Sequence, residues 1–188
     1  MAIYRLTTNM KNLKLAIGIC NTGSIKAQTA FCLVRMLKDF PHDYDVLFHE
    51  GSMLHIMRER LVEKAIDRGC THLLFLDSDM SFEKDAVLRL LKRKKEIIGA
   101  NYNKRKLPLE GTVENPKKAT GLTTCDSVAT GFMLIDLSIM KNLPRPWFFW
   151  GLNGESEDFW FCRRARDVGY NIHVDFTLDV KHIGEFLY

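Results

Sequence analysis

Short apolar runs alternate with segments of helical periodicity over the first hundred residues of the chain. The apolar runs, each ended by polar or turn-forming residues as buried strands are, cover residues 13–20, 44–49, 71–76 and 96–101. Helical spacing of apolar residues covers 24–38, 54–68 and 81–95. Strands and helices that alternate with short connections form βαβ units. The pattern therefore predicts an α/β fold with a mainly parallel central sheet flanked by helices.

The second half of the chain is less regular. Residues 102–124 are polar and rich in lysine, glycine and proline, and they predict an irregular excursion or a short hairpin. The elements expected after it are a strand at 127–136, a short helix up to 142, a helix at 156–168, a strand at 171–175 and a tail segment at 180–184. No repeat, low-complexity tract or linker divides the 188 residues, so a single domain over 1–188 is expected.

Composition narrows the class of protein. A net charge of +4 is far from the dense basic footprint of a nucleic-acid binder, so no nucleic-acid partner is expected. Five scattered cysteines without a C-x-x-C pair argue against a disulfide framework and a zinc site, and they favour a reducing compartment, the cytoplasm. No signal peptide is visible, and no apolar run approaches the roughly 20 residues of a membrane span. A soluble protein without a transmembrane segment is expected.

An acidic pair marks the predicted ligand edge of the sheet. Ligands bind at the carboxyl ends of parallel strands, here the loops after Cys20, His49, Leu76 and Asn101. Asp77-Ser78-Asp79 follows the third predicted strand directly. Two carboxylates one residue apart can share Mg²⁺ or Mn²⁺ that also holds a diphosphate. Such a D-x-D triplet also occurs by chance as a turn, but its position after a buried strand favours the metal site.

Basic side chains near the same edge suit an anionic ligand. Arg58, near the start of its predicted helix, is a candidate for contact with a phosphate or a base, although an arginine there often belongs to a solvated face. Lys104, followed by Arg105 and Lys106, comes just after the fourth predicted strand and could screen a diphosphate. The alternative is an ordinary basic loop.

Three further features in the second half carry candidate chemistry. Glu157-Asp158 opens a predicted helix, where a carboxylate either compensates the helix dipole or accepts a proton as a general base. His182 could bind a metal through a neutral imidazole, although a lone histidine is more often packed. The aromatic run 147–150 and Trp160 offer rings on which sugars stack, or they complete the core.

The order and spacing of these motifs resemble those of the GT-A glycosyltransferases, notably the compact family 2-like enzymes of bacteria, phages and large viruses. The motifs are Arg58 with Leu61-Val62, the run 71–80 with its Asp77-Ser78-Asp79, residues 129–134 around Gly131, residues 154–162 around Glu157-Asp158, and residues 180–184 around His182. The resemblance spans roughly residues 13–184. It implies a nucleotide-sugar-binding half over about 13–103 and an acceptor-side half over about 104–188.

The resemblance also implies roles for the matching residues. Asp77, Asp79 and His182 would bind Mn²⁺ or Mg²⁺. Glu157-Asp158 would supply the base of an inverting enzyme, with Asp158 as the acting residue, whereas in a retaining enzyme Asp158 would position the substrate instead. The expected donor contacts are Arg58, Asp77, Ser78, Asp79, Thr22 and Lys104, and the expected acceptor or sugar contacts are Gly131, Trp150 and Trp160. Glu59 stands where relatives often have asparagine after the arginine, which is a departure from the pattern.

The expected function is metal-dependent transfer of a sugar from a nucleoside diphosphate sugar, with UDP as the expected nucleotide, to a hydroxyl of a glycan or another acceptor. Because the chain is shorter than most relatives, acceptor-side elements are expected either to be missing or to be supplied by a second copy, an additional domain or another partner. One alternative is a nucleotidyltransferase of sugar phosphates, which typically has a glycine-rich basic loop after the first strand. The other is a non-catalytic module that binds nucleotide sugars or carbohydrates.

Overall fold

A computed structural model of the chain describes residues 12–105, 108–151 and 153–184. The strands are β1 Lys14–Asn21, β2 Asp43–Glu50, β3 His72–Asp77, β4 Met80–Phe82, β5 Ile97–Ala100, β6 Val113–Glu114, β7 Leu122–Cys125, β8 Ser127–Val128, β9 Phe132–Asp136, β10 Ile172–Asp175 and β11 Val180–His182. The helices are α1 Ala27–Lys38, α2 Leu54–Asp67, α3 Ala86–Lys92, a 3-10 helix Leu137–Asn142 and α4 Glu157–Asp167.

Seven of the described strands form one sheet in the order β2-β1-β3-β9-β5-β10-β7. Strands β1, β2, β3, β5 and β10 run in one direction, whereas β9 and β7 run in the opposite one. The prediction of an α/β fold with a mainly parallel sheet is confirmed. Because the five codirectional strands end at the same edge, the loops that follow β1, β2, β3 and β5 meet there.

Strand β3 shows how the sheet separates two cores. Leu73 and Phe75 pack into the core beneath α2 and α4, while Leu74 and Leu76 pack into the core beneath α1 and α3. All four side chains are fully buried. Successive side chains of a strand point to opposite faces, so a continuous apolar run is what a strand covered on both faces requires.

The largest error in the predicted elements concerns residues 81–95. The structure has a short strand, β4, at Met80–Phe82, and helix α3 begins only at Ala86. Met80 and Phe82 are buried while Ser81 between them is half-buried, which is the alternation of a strand and not the start of a helix. The prediction that the helix begins at residue 81 is therefore wrong.

Two other predicted segments differ from the structure. The strand expected at 127–136 is interrupted between β8 and β9, because the amide of Gly131 donates to the Tyr102 hydroxyl (2.9 Å) and its carbonyl accepts from the amide of Asp77 (3.0 Å). The segment 102–124, expected to be an irregular excursion or a short hairpin, contains β6 and most of β7, and β7 is an edge strand of the main sheet.

A separate two-stranded sheet positions the end of the described chain. Strand β11 pairs antiparallel with β4, with Met80 opposite His182 and Phe82 opposite Val180. The amide of Ile183 continues the ladder by donating to the carbonyl of Asp79 at 2.7 Å. This small sheet therefore places His182 beside the second aspartate of the D-x-D triplet.

Asp175 anchors the turn that leads from β10 to β11. Its carboxylate is fully buried and accepts from Arg93 Nε (2.8 Å) and from the Thr177 amide (2.9 Å) and hydroxyl. Burial alone would raise the pKa of Asp175, but the bonds from Thr177 and Arg93 outweigh it and hold that pKa below its ordinary value.

The lowered pKa of Asp175 predicts a pH dependence of stability. The stabilisation is present above the ordinary carboxyl pKa of about 3.9 and is lost as pH falls through the lower pKa of the folded state. Urea denaturation of the wild type and of Asp175→Asn should show the largest difference in free energy of unfolding at neutral pH, shrinking below about pH 4. Asp179→Asn, at an exposed ion pair in the same turn, is the control. A constant difference between pH 7 and about pH 3 would contradict the assignment.

The cysteines and the helices bear on the expected compartment and on the expected absence of a membrane span. All five cysteines lie in the described residues, and each is buried and unpaired. No helix of the described ranges combines the length and apolar character that a bilayer crossing requires. The cytoplasmic location remains a prediction.

Candidate active site

Arg58 lies at the centre of the carboxyl edge of the sheet, on the first turns of α2. Its Nη2 is 3.2 Å from Asp77 Oδ1 and its Nε is 3.1 Å from Glu157 Oε1. The guanidinium also lies over the ring of Phe75, 5.3 Å from the centroid. Only 3% of Arg58 is exposed, so one buried cation joins the end of β3 to the first residue of α4.

The charges around Arg58 stabilise its ionised form. Burial alone would lower the pKa of Arg58, but Asp77 and Glu157 raise it above its ordinary value. Burial raises the pKa of Glu157, an effect that the charge of Arg58 opposes and that of Asp158 reinforces. Both Asp77 and Glu157 therefore have a fixed positive partner within the protein.

Asp158 differs from its neighbour Glu157 in its contacts. Its Oδ1 accepts from the Ser156 hydroxyl and from the amide of Phe159 at 2.9 Å. Within the described residues, its Oδ2 has no hydrogen bond. Asp158 is half-buried, and its charge contributes to the raised pKa of both Arg58 and Tyr102. Of the acidic pair, Asp158 is the residue with an oxygen available to a bound molecule.

Asp79 and His182 form a second polar group at the same edge. His182 Nε2 is 3.1 Å from Asp79 Oδ1, and Arg105 Nη1 is 2.8 Å from Asp79 Oδ2. Burial alone would raise the pKa of Asp79, but His182 and Arg105 hold it below its ordinary value. Among the described residues, no three His, Cys, Asp or Glu side chains converge as a preformed metal site. Asp77 faces Arg58, so the structure pairs two of the three predicted metal ligands.

Gly131 and Tyr102 close the space between these two groups. A Cβ on Gly131 would lie 2.8 Å from Asp77 Oδ2 and would collide with the Tyr102 hydroxyl, so a side chain at this position does not fit. The ring of Tyr102 packs edge-on against that of His182, with centroids 5.7 Å apart. Burial raises the pKa of Tyr102 well above its ordinary value, and Asp77 and Asp158 add to this. The Tyr102 hydroxyl therefore stays protonated.

The remaining expected donor contacts lie around this edge without joining either polar group. Thr22 is exposed in the loop between β1 and α1, and the carbonyl of Ser78 accepts from the amide of Lys26 at 2.8 Å. Lys104 is exposed and pairs with Glu110 at 3.1 Å. Lys106 lies outside the described residues. The roles given to these side chains remain predictions.

The aromatic run 147–150 divides between core and surface. Trp147 and Phe148 are buried, and the ring of Phe148 stacks on that of Phe161 with centroids 4.8 Å apart, so these two rings complete the core. Trp150 is 47% exposed. The ring of Trp160 is half-buried against Phe149 and lies beneath the guanidinium of Arg163. Trp150 therefore presents more free ring surface than Trp160.

Sequence reasoning missed two residues of this edge. It assigned no role to Tyr102 and no contact with Asp79 to Arg105. Both follow a predicted strand on the predicted ligand edge, which is the signal that could have identified them. Both line an open cleft of about 920 Å³ that reaches His182 and also includes Lys26, Phe176 and Leu178.

Comparison with known proteins assigns the fold to a structural class. Neither a family model nor a curated protein sequence matches the chain. Among solved structures, A197 from STIV has a TM-score of 0.68 at 17% identity, over 92% of this chain and 87% of that one. TarS 1–349 from S. aureus has a TM-score of 0.55 at 14% identity, over 86% of this chain and 58% of that one. UDP-glucose pyrophosphorylase in complex with UDP-glucose has a TM-score of 0.56 at 10% identity, over 91% of both.

The chain has a GT-A fold. The predicted recognition of this fold is confirmed. Because UDP-glucose pyrophosphorylase is among the similar structures, the GT-A fold alone does not distinguish sugar transfer from nucleotidyl transfer.

Proposed function

We propose that the chain is a metal-dependent glycosyltransferase that moves a sugar from a nucleoside diphosphate sugar to a hydroxyl acceptor. One observation supports this proposal above all others. The β4–β11 sheet brings His182 to 3.1 Å from Asp79 at the edge where Arg58 fixes Asp77 and Glu157 and leaves Asp158 accessible. A nucleotide-binding edge, a carboxylate–imidazole pair and an accessible carboxylate are the parts that such a transfer needs.

The donor set of Asp79 and His182 suits Mn²⁺ or Mg²⁺. A carboxylate oxygen and a neutral imidazole nitrogen provide two protein ligands, and such ions commonly take phosphate oxygens and water in their other positions. Bound there, the metal ion would neutralise the negative charge that develops on the leaving nucleoside diphosphate. Asp77, tied to Arg58, then holds the end of β3 in place beside the pair.

Asp158 is the base in this proposal. Its Oδ2 takes the proton of the acceptor hydroxyl while the acceptor oxygen bonds to the anomeric carbon and the bond from that carbon to the diphosphate breaks. Glu157 does not compete for this role, because Arg58 engages its carboxylate. The displacement inverts the configuration of the sugar.

The other contacts of the proposal surround this centre. Thr22, Ser78 and Lys104 lie where the nucleotide and its phosphates would bind, and Gly131 leaves room for the transferred sugar. The exposed ring of Trp150 and the ring of Trp160 offer apolar faces to a glycan acceptor. A UDP-sugar donor and a second copy or partner on the acceptor side belong to the same proposal.

Nucleotidyl transfer to a sugar phosphate is the second candidate, favoured by the structural likeness to UDP-glucose pyrophosphorylase. The segment between β1 and α1 spans only residues 22–26 and contains one glycine and one lysine, which is a poor match to a glycine-rich phosphate loop. The product distinguishes the two reactions. Incubation with UDP-glucose and Mn²⁺ should release UDP and no UTP when pyrophosphate is added.

Asp79→Asn tests the metal-dependent donor site. At a UDP concentration about 100 times its dissociation constant, binding to the native state adds about 2.7 kcal/mol, which for a chain of this size raises the melting temperature by about 5–10 °C. The wild type should show this shift with UDP and Mn²⁺ together, and Asp79→Asn should lose it. The control Asp179→Asn removes a nearby carboxylate that pairs with Lys181 and should keep the shift. An undiminished shift in Asp79→Asn would remove the metal site from the proposal.

A further inference from the structure

Arg105 occupies the one oxygen of Asp79 that His182 leaves available. Its Nη1 is 2.8 Å from Asp79 Oδ2, while His182 Nε2 is 3.1 Å from Oδ1. Asp79 is thus engaged on both oxygens by the protein itself. A divalent cation cannot bind this carboxylate at full strength while a guanidinium is paired with it, because the two positive charges compete and repel each other.

The two arginines of the edge are held very differently. Arg58 is 3% exposed and lies between two carboxylates and the ring of Phe75. The side chain of Arg105 is 55% exposed, and in the part of the chain that the structure describes Asp79 is its ion-pair partner. The Arg105 side chain passes beside Gly184: a Cβ added to Gly184 would lie 3.9 Å from Cγ and Cδ of Arg105. Arg58 is therefore fixed, whereas Arg105 can exchange its partner at small cost.

We propose that Arg105 is an internal cation that holds Asp79 until donor and metal arrive together, and that it then moves from Asp79 to the diphosphate of the donor. This inference rests on the proposed function. Arg105 and His182 line the same cleft, so the Arg105 guanidinium is close to the place where phosphate oxygens would bind beside His182. A guanidinium pairs with a phosphate as well as with a carboxylate, so the exchange keeps its charge compensated.

The exchange couples the binding of the two ligands. Metal alone must displace Arg105 without offering it a new partner, so it binds weakly. A diphosphate supplies that partner, so each ligand raises the affinity for the other by the same factor. Arg105 thus acts as a positioning residue that makes the site selective for the metal–donor complex over the free metal ion.

The test measures binding and not turnover. Mn²⁺ affinity is measured from the electron paramagnetic resonance signal of free Mn²⁺, with and without UDP, and UDP affinity by calorimetry in saturating Mn²⁺. Arg105→Ala should bind Mn²⁺ alone about fivefold more tightly, the scale of one half-exposed ion pair, and UDP at least about fivefold more weakly. Arg105→Gln is the second variant, because it removes the charge and keeps most of the side chain.

Lys181→Ala is the matched control. It removes one positive charge from the residue next to His182, but its ammonium pairs with Asp179 at 3.0 Å and not with Asp79. The affinity for Mn²⁺ alone should therefore stay within about twofold of the wild type, as expected for an exposed charge that does not pair with Asp79. A Lys181→Ala variant that tightens Mn²⁺ binding as much as Arg105→Ala would overturn the inference, because net charge alone would then explain both.

The outcomes separate this inference from the proposed function. If Asp79→Asn abolishes Mn²⁺ binding but both Arg105 variants leave the Mn²⁺ and UDP affinities unchanged, the metal site stands and the exchange is wrong. If both variants weaken Mn²⁺ and UDP alike, Arg105 merely supports the structure and the exchange is again wrong. If Asp79→Asn binds Mn²⁺ as tightly as the wild type even with UDP present, the proposed metal site fails and the exchange fails with it.

Discussion

Asp158→Asn is expected to lower the rate of sugar transfer by about a thousandfold while leaving the affinity for the donor nucleotide unchanged, because asparagine cannot accept the proton of the acceptor hydroxyl. The substitution preserves the size of the side chain and its carbonyl oxygen, so the bonds from Ser156 and the Phe159 amide to Oδ1 can remain. The measurements are single-turnover transfer from a UDP-sugar and calorimetric binding of UDP with Mn²⁺.

The control for Asp158→Asn is Asp167→Asn, at the other end of α4. Asp167 is exposed and 3.6 Å from Arg163, far along the helix from the edge of the sheet, so its substitution should leave transfer within about twofold of the wild type. Near-normal transfer by Asp158→Asn would eliminate Asp158 as the base. Because the test compares rates at equal donor saturation, it is independent of the metal-binding experiments.

Arg58→Met is expected to lower the free energy of unfolding by about 3–5 kcal/mol, because it leaves the carboxylate of Glu157 buried without its positive partner. Glu157 is 4% exposed and Arg58 3% exposed, so solvent does little to compensate the loss. Urea denaturation at neutral pH measures the change. The double variant Arg58→Met with Glu157→Met should recover part of the loss, since no unpaired carboxylate then remains at position 157.

Arg60→Ala is the matched control for Arg58→Met, two residues further along the same helix. Arg60 pairs with Glu63 at 2.8 Å, but its side chain is 60% exposed, so the loss should be at most about 1 kcal/mol. Equal losses for the two single variants would show that burial of the Arg58–Glu157 pair contributes nothing. If Arg58→Met does not fold, the double variant still reports whether removal of the buried charge restores a cooperative transition.

The sequence predicts the central sheet well because its strands are determined by local pattern. The runs that become β1 and β3 are continuously apolar, and each ends at a polar group, so their ends locate the ligand edge together with Asp77 and Asp79. Strand β4 cannot be predicted in this way. It is three residues long, and its partner β11 lies about a hundred residues later, so no local pattern predicts the pairing.

Side-chain partners were harder to predict than elements. Arg58 lies on the predicted helix, but nothing in the sequence near it indicates that it will contact Glu157, 99 residues away. The same holds for Arg105 and Asp79. The aromatic run 147–150 shows a related limit, since Phe148 becomes core while Trp150 stays exposed, and only the packing against Phe161 decides this. Composition identifies the aromatic rings but not which of them are buried and which are exposed.

The pairing of β4 with β11 has a consequence for how the molecule can open locally. Asp79 and His182 are separated by 103 residues, and β11 follows β10, the last strand in sequence to join the main sheet. The seven-stranded sheet contains neither β4 nor β11, so its own hydrogen bonds do not depend on this pair. Local opening of the short β4–β11 ladder would therefore separate the imidazole from Asp79 while the main sheet stays intact.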